Sequence, residues 1–119
     1  MMDVLVVDDQ DAVREVLAEL LEDVGLDVAE AASGEEALSR IARSGPPDVL
    51  VTDLDLGSGV SGLRLADDIA QQWPDVGIVF ISGRPWLMAQ HKLRPQERFL
   101  EKPCPFGELL DAVESLRPH

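Results

Sequence analysis

Acidic, hydroxyl and basic side chains follow directly after four short apolar runs of this sequence. In chain order, these runs end in Asp8-Asp9, Thr52-Asp53, Ser82-Gly83 and Lys102-Pro103. If the runs are parallel strands of one sheet, their carboxyl ends lie at the same edge, which is where open sheets of this kind bind ligands. Three carboxylates, one hydroxyl and one ammonium group would then meet there.

Electrostatic repulsion limits how such carboxylates can coexist. Two unit charges ~4 Å apart repel by ~4 kcal/mol at an effective dielectric constant near ~20. Three clustered carboxylates should therefore share protons or hold a cation, and a divalent cation is the simpler answer. Mg²⁺ prefers hard oxygen ligands, keeps several waters and typically binds carboxylates together with a phosphate. The residue types thus favour chemistry on a phosphate group.

The elements that must position these side chains are indicated by hydrophobic patterns. Apolar runs rich in Val, Ile and Leu predict strands at residues 3–7, 26–29, 48–52, 76–81 and 98–101. Apolar residues at steps of three and four predict four helices. The first carries an apolar stripe at residues 13–24 and stops at Gly25, and the second opens with a capping box formed by Ser33 and Glu36. The third helix is predicted at about 61–73, and the last helix begins at Pro105. Residues 85–94 have a poor apolar stripe, and we expect a short, mobile fourth helix there.

Strands and helices thus alternate five times along the chain. This order predicts an α/β fold with a five-stranded parallel sheet, right-handed crossovers and helices on both faces. The central runs are apolar throughout, as strands buried on both faces require. Because no linker or repeat divides the sequence, we expect residues 1–119 to form one domain.

The composition argues against several classes of function. The 119 residues include 10 Lys+Arg and 23 Asp+Glu, which gives a net charge of −13. Nucleic-acid affinity comes mainly from basic side chains that neutralise phosphates, and no basic run exists here. The single cysteine cannot form an internal disulfide, no stretch approaches ~18 apolar residues, and the amino terminus lacks a signal-peptide pattern. We expect a cytoplasmic protein that contacts neither nucleic acid nor membrane directly.

Over essentially its whole length, the chain resembles the response-regulator receiver domains of two-component signalling. Their motif is an acidic pair after the first strand, an Asp after the third, a Ser or Thr after the fourth and Lys-Pro after the fifth. All four parts are present here in that order. The resemblance implies a flavodoxin-like (βα)5 fold with strand order 2-1-3-4-5 and the function of a phospho-accepting signalling switch.

The resemblance also implies a role for each matching residue. Asp53 would be the phosphoacceptor, a carboxylate nucleophile that attacks phosphohistidine. Asp9, Asp53 and the backbone carbonyl of Asp55 would bind Mg²⁺, and Asp8 would hold the ion through water. The phosphoryl-binding and switch residues would be Ser82, Lys102 and Phe99.

Several features depart from the usual receiver pattern. The loop after Asp53 lacks the Pro that commonly lies four residues past the acceptor, so we expect a looser backbone. Asp55 and Arg84 can face each other across the pocket, and our hypothesis is that this pair gates water and sets the lifetime of the acyl phosphate. Arg-Pro-Gln-Glu at residues 94–97 replaces a small-residue turn. The output surface is then either the usual one, around the fourth helix, fifth strand and last helix, or the first helix.

Other residues are interpreted as structural. Trp73 and Trp86 are predicted to be packing residues, and His91 and His119, which have no partner pattern, are predicted to lie at the surface. Cys104 precedes a helix, which can make a thiol mildly acidic, but a structural role is favoured. By the resemblance, the Lys-Pro bond at residues 102–103 is expected to be cis.

Three functions compete. The first is a stand-alone receiver whose implied partners are a sensor histidine kinase or histidine phosphotransfer protein and a downstream protein target, with homodimers on activation as a further state. Such a chain is not an enzyme beyond its own phosphorylation and self-dephosphorylation. The second is a small Mg²⁺-dependent phosphohydrolase using Asp53 and Asp55, since Asp-x-Asp resembles the haloacid-dehalogenase phosphohydrolases. The third is a receiver fold that serves as an unphosphorylated binding module.

Overall fold

Five parallel strands and four α-helices alternate along the chain in the computed structural model, which describes residues 2–57 and 59–118. The strands are β1 (Val4–Val7), β2 (Val28–Ala31), β3 (Val49–Asp53), β4 (Gly77–Ser82) and β5 (Glu97–Glu101). The helices are α1 (Asp11–Asp23), α2 (Gly34–Ser44), α3 (Gly62–Gln72) and α4 (Phe106–Leu116). The strand order is β2-β1-β3-β4-β5, as the resemblance implies, so the predicted α/β fold is confirmed.

Two apolar layers cover opposite faces of the sheet. Successive side chains of a strand point to opposite faces. Accordingly, Leu50 and Phe80 pack with buried residues of α2 and α3, whereas Val51 and Val79 pack with those of α1 and α4. The predicted placement of helices on both faces is therefore confirmed, and this double cover fixes the strand ends that carry the polar side chains.

Two of the predicted helix signals act where the sequence places them, whereas the last helix begins at Phe106, one residue after the predicted Pro105. The Oγ atom of Ser33 accepts a hydrogen bond of 3.1 Å from the amide of Glu36 at the start of α2. Gly25 follows α1 with a φ of +95°, a conformation that favours glycine. Among the helices of the described residues, none is long and apolar enough to cross a membrane.

The apolar pattern misplaces some residues within these elements. β2 begins at Val28 rather than at Leu26, because Leu26 is buried in the turn after α1 and the pairing with β1 starts later. The apolar spacing of α3 predicts an inward face made of Leu63, Ala66, Ile69, Ala70 and Trp73, but Leu65, which is not among them, is fully buried. Val16 and Val24 belong to the predicted stripe of α1 but are exposed.

The β4–β5 connection contains a 3₁₀ turn, Pro85–Met88, where the (βα)5 pattern predicts a fourth α-helix. Its hydrogen bonds join residues three apart, as from the amide of Leu87 to the carbonyl of Arg84 at 3.0 Å. Trp86 is 65% exposed, so the prediction that it packs into the protein is wrong. Helices in proteins are stabilised mainly by packing an apolar face against the rest of the fold. This segment has no continuous apolar face, so packing against the sheet would stabilise a helix there only weakly.

A polar cluster built around a buried glutamate links this connection to α3 and β5. It consists of Asp67 on α3, His91 and Arg94 in the connection, and Glu97 at the start of β5. The Glu97 side chain has no solvent exposure, and that of His91 has 12%. The prediction of a surface His91 is therefore wrong, whereas His119 lies outside the described residues. We refer to these four residues as the Glu97 cluster.

Candidate functional site

The carboxyl ends of β1, β3, β4 and β5 surround a pocket of about 470 Å³. Its polar lining includes residues that the sequence placed at strand ends or in the following loops, namely Asp9, Asp53, Asp55, Ser82, Arg84 and Lys102. A larger groove of about 720 Å³ lies at the other end of the sheet, but it is lined largely by prolines and apolar side chains, including Pro46, Trp73 and Pro74. The smaller pocket is therefore the candidate functional site.

Asp53 is held by hydrogen bonds at both carboxylate oxygens. Its Oδ2 atom lies 2.8 Å from the Nζ atom of Lys102, and its Oδ1 atom accepts a bond of 3.0 Å from the amide of Asp55. Asp53 ends β3 and Lys102 directly follows β5, so the sheet itself brings the pair together. The Asp53 side chain remains 13% exposed, which leaves it reachable from the pocket.

The acidic pair after β1 combines a buried and an exposed carboxylate. Asp8 is buried, and its Oδ1 atom accepts a hydrogen bond of 2.8 Å from the amide of Gln10. Burial raises the pKa of Asp8 above its ordinary value, and the negative charges of Asp53 and Asp9 add to this effect, while the Gln10 amide and Lys102 oppose it. Asp9 is exposed at the pocket.

This donor set fits a strongly hydrated divalent cation. Within residues 2–57 and 59–118, no three His, Cys, Asp or Glu side chains form a ready-made metal cage. Mg²⁺ does not need one, because it keeps several waters and binds to one or two carboxylates. A cation between Asp9 and Asp53 would also offset the carboxylate repulsion that contributes to the raised pKa of Asp8.

Ser82 and Arg84 form the opposite side of the pocket. Ser82 is buried at the end of β4, and its Oγ atom accepts a hydrogen bond of 2.9 Å from the amide of Arg84. The Nη1 atom of Arg84 lies 2.8 Å from the Oδ2 atom of Asp55, and both side chains are about half exposed. The structure thus brings Asp55 and Arg84 together across the pocket, as the sequence predicted.

Phe99, Pro103 and Cys104 lie outside the lining of this pocket. The Lys102-Pro103 bond is cis, as expected. Phe99 is partly buried in β5, in register with Phe80 of β4. Cys104 is also partly buried, and burial together with the nearby Glu108 raises the pKa of its thiol, so the idea of a mildly acidic cysteine is wrong.

Two glycines near Asp53 have structural roles that the sequence reasoning missed. Gly57, which occupies the position of the usual proline, has a φ of +72°, whereas proline is confined near −65°. Gly62 begins α3 directly against β3: a Cβ atom there would lie 2.9 Å from Leu54 Cα and would overlap the backbone carbonyl of Asp53. The only signal in the sequence was the high glycine content of residues 57–62.

Replacing Gly62 by alanine is expected to lower the free energy of unfolding by about 1–3 kcal/mol, because the added methyl group must displace the backbone at Asp53. Chemical denaturation of the purified variant measures this loss. Gly107→Ala is the matched control, since Gly107 also lies in the first turn of a helix and its Cβ would meet no atom within 4 Å. Equal stability of the Gly62→Ala variant and wild type would contradict the close approach.

Comparisons with known proteins agree with this geometry. A family described as the response regulator receiver domain matches residues 4–114. The chain is 38% identical to the nitrogen assimilation regulatory protein NtrX of Azorhizobium caulinodans over 97% of its own length. It is 33% identical to the DNA-binding transcriptional regulator NtrC of Escherichia coli over 98% of its own length. It spans 27% and 25% of those two relatives, respectively. The solved receiver domain of NtrX from Brucella abortus superposes with a TM-score of 0.86 at 31% identity, over 96% of this chain and 97% of that one.

Proposed function

Because the chain belongs to the response-regulator receiver domain family, whose members are the switches of two-component systems, we propose that Asp53 accepts a phosphoryl group from a phosphohistidine. The observation that carries the proposal is the 2.8 Å ion pair between Asp53 Oδ2 and Lys102 Nζ at the pocket. This pair places a reachable carboxylate beside a cation suited to phosphoryl oxygens. We propose residues 1–119 as one receiver unit.

The transfer is an attack of a carboxylate oxygen on phosphorus. The Asp53 oxygen forms the new O–P bond while the P–N bond of the phosphohistidine breaks, and the imidazole nitrogen keeps the electron pair. Negative charge spreads over the equatorial phosphoryl oxygens in the transition state. Lys102 supplies positive charge to these oxygens. The Ser82 hydroxyl donates a hydrogen bond to one of them, while its Oγ atom accepts one from the backbone amide of Arg84.

The pocket residues would also hold Mg²⁺. Asp9, Asp53 and the backbone carbonyl of Asp55 would bind the ion, and Asp8 would hold it through water. When bound, the ion neutralises negative charge on the phosphoryl group and on the carboxylates. Burial is the main cause of the raised pKa of Asp8 and the nearby carboxylates add to it, so a bound cation would favour the ionised form of this side chain.

The response to phosphorylation would run through β4 and β5. A phosphoryl group adds nearly two negative charges and three strong acceptor oxygens, which would draw Ser82 and its loop towards Asp53. Phe99, in register with Phe80 on the neighbouring strand, would then turn inward as the switch aromatic. The outcome is a changed surface for a protein partner.

We propose a sensor histidine kinase or a histidine phosphotransfer protein as the phosphodonor and a downstream protein as the target, in the cytoplasm. A homodimer is a further state on activation. Nucleic acid and membrane are not proposed as direct partners of this chain, whose net charge is −13. The chain itself would catalyse only its own phosphorylation and dephosphorylation.

Incubation with acetyl phosphate and Mg²⁺, followed by intact-mass spectrometry, tests the proposal. We expect the mass of one phosphoryl group to be added with Mg²⁺ and not after chelation, and we expect beryllofluoride with Mg²⁺ to form a stable adduct at Asp53. An unphosphorylated binding module would show neither result. A phosphohydrolase would turn over p-nitrophenyl phosphate repeatedly, which we do not expect because Arg84 engages the Asp55 carboxylate.

The Asp55–Arg84 pair is proposed to gate water at the acyl phosphate. Changing either residue to alanine is expected to shorten the half-life of the phosphorylated protein about twofold to fivefold, since an exposed ion pair contributes under about 1 kcal/mol. The double variant should decay no faster than the faster single variant, because both remove the same contact. The loss of phosphoryl mass over time is the measurement.

Arg64→Ala provides the matched control for the gate, since Arg64 forms an exposed ion pair with Asp68 on α3. Its phosphoryl half-life should equal that of wild type. Unchanged half-lives in both the Asp55→Ala and Arg84→Ala variants would remove the gating hypothesis.

A further inference from the structure

The loop between β3 and α3 determines where the Asp55 carbonyl lies. This loop comprises residues 54–61, of which all but residue 58 are described. It leaves the sheet at Asp53 and returns at Gly62, whose amide donates a hydrogen bond of 3.1 Å to the carbonyl of Leu54. The two ends of the loop are thus fixed against each other beside the candidate phosphoacceptor.

The outgoing half of the loop is anchored in the core. Leu54 and Leu56 are both buried in the apolar layer beneath α2 and α3, while Asp55 between them is half exposed in the pocket. The two buried leucines hold the Asp55 backbone at the edge of the core. The orientation of the Asp55 carbonyl also depends on the path of the loop after Leu56, which continues directly into Gly57.

The returning half has a backbone with much more conformational freedom. Gly57 and Gly59 have φ values of +72° and +97°, and glycine loses more conformational entropy on ordering than any other residue. The apolar packing of Val60 offsets part of this entropy loss, and a contact from outside the loop offsets more of it.

Glu35, in the first turn of α2, makes such a contact. Its Oε1 atom accepts a hydrogen bond of 2.9 Å from the amide of Val60. The same carboxylate packs against Gly59, where a Cβ atom would come within 2.8 Å of Oε2. Gly34 is also close to this part of the loop, since a Cβ on it would lie 2.9 Å from the Cβ of Val60. The first turn of α2 and the returning half of the loop therefore fit closely together.

We propose that Glu35 is a positioning residue for the metal site: by holding Gly59 and Val60, it fixes the loop that presents the Asp55 carbonyl to Mg²⁺. The inference rests on the proposed function for the identity of the ion and of that ligand. Glu35 acts through the loop backbone and does not itself touch the ion. Its effect is accordingly on Mg²⁺ affinity, and phosphorylation at saturating Mg²⁺ is preserved.

The test compares Glu35→Ala with Glu36→Ala in the full chain. Both glutamates are exposed in the first turn of α2, so both variants lose the same favourable charge at the helix start, but only Glu35 bonds to the loop. Calorimetric titration should show Mg²⁺ binding about threefold to tenfold weaker in Glu35→Ala, the effect of losing one hydrogen bond, and unchanged in Glu36→Ala. Exchange of the Val60 amide hydrogen should be faster in Glu35→Ala alone.

Two further variants separate positioning from a general loss of structure. Glu35→Gln keeps an oxygen acceptor and should bind Mg²⁺ within about twofold of wild type. Gly59→Ala disturbs the same contact from the loop side and should weaken Mg²⁺ binding as Glu35→Ala does. Wild-type affinity in Glu35→Ala, or equal losses in Glu35→Ala and Glu36→Ala, would overturn the proposal.

The outcomes also distinguish this inference from the proposed function. Wild type that binds Mg²⁺ but takes up no phosphoryl group would contradict the proposed function, while the weaker binding of Glu35→Ala would still support the positioning role. Wild type that is phosphorylated, together with a Glu35→Ala variant of unchanged Mg²⁺ affinity, would contradict the positioning role alone. Absence of Mg²⁺ binding in wild type would overturn both.

Discussion

Replacing Asp53 by asparagine is expected to reduce phosphoryl uptake from acetyl phosphate by at least about a thousandfold, because the amide oxygen is a far weaker nucleophile than the carboxylate. The substitution preserves the shape of the side chain and an oxygen that can accept the 3.0 Å bond from the Asp55 amide. It removes the negative charge that pairs with Lys102 at 2.8 Å. Intact-mass spectrometry after incubation with acetyl phosphate and Mg²⁺ measures the effect.

Asp55→Asn is the matched control for this prediction. Asp55 lines the same pocket two residues further on, and its proposed contribution to the metal site comes from the backbone carbonyl, which the substitution keeps. The Asp55→Asn variant should therefore still take up one phosphoryl group, with a changed lifetime. Equal uptake by Asp53→Asn and wild type would show that another residue is the acceptor, and peptide mapping would identify it.

The edge of the sheet that carries the site could be predicted because the position of this edge does not depend on the exact limits of the strands. In a parallel sheet, every strand presents its carboxyl end to the same edge, whatever its precise limits. The predicted limits of β3 and β4 differ by one residue from those of the structure, yet Asp53 and Ser82 still lie at that edge. Lys102, which follows β5, reaches the carboxylate of Asp53 for the same reason.

The sequence could not predict which of several neighbouring apolar residues is buried, or at which residue a strand starts. Leu63 and Leu65 are both apolar and lie on α3, and only the packing of that helix on the sheet decides that Leu65 is fully buried. The start of β2 is similarly fixed from outside the strand. The backbone amide of Asp3 bonds to the carbonyl of Asp27 at 2.8 Å, and the Asp27 amide bonds to the Asp3 carboxylate at 2.8 Å.

The Glu97 cluster shows why buried polar networks are hidden from sequence patterns. A glutamate before a short strand is typical of an exposed position, since Glu is rarely buried unless it is paired. Its partners are recognisable only in three dimensions, because Asp67, which completes the cluster through Arg94, lies 27 residues earlier in the chain than Arg94. Two members of this cluster, His91 and Arg94, lie in the segment for which the sequence predicted a fourth helix.

Replacing Glu97 by alanine is expected to destabilise the protein by about 3 kcal/mol and to lower its Tm by about 10 °C. Glu97 Oε2 lies 2.7 Å from Arg94 Nη1, and its Oε1 lies 2.8 Å from His91 Nε2 and accepts a bond of 2.9 Å from the Arg94 amide. Without the carboxylate, these buried groups lose their partner. This loss of stability is at the lower end of the range for breaking a buried ion pair. Arg94 is partly exposed and keeps its ion pair with Asp67, in which Nη2 lies 2.8 Å from Oδ1.

The stability that Glu97 provides should depend on pH in a defined direction. Burial alone would raise the pKa of Glu97, but the hydrogen bonds from the Arg94 amide, from His91 and from the Arg94 guanidinium together hold it below the ordinary value of 4.5. A carboxyl with a lowered pKa in the folded state contributes stability that is fully present above 4.5 and is lost as the pH falls through the folded-state pKa. The difference in unfolding free energy between wild type and Glu97→Gln should therefore be largest above that value and shrink in more acidic buffer.

Glu101→Ala, in an exposed position of the same strand, should show neither the large destabilisation nor this acid dependence. A difference between wild type and Glu97→Gln that stays constant from neutral to acidic pH would mean that the Glu97 cluster stabilises the fold through packing and not through its charge.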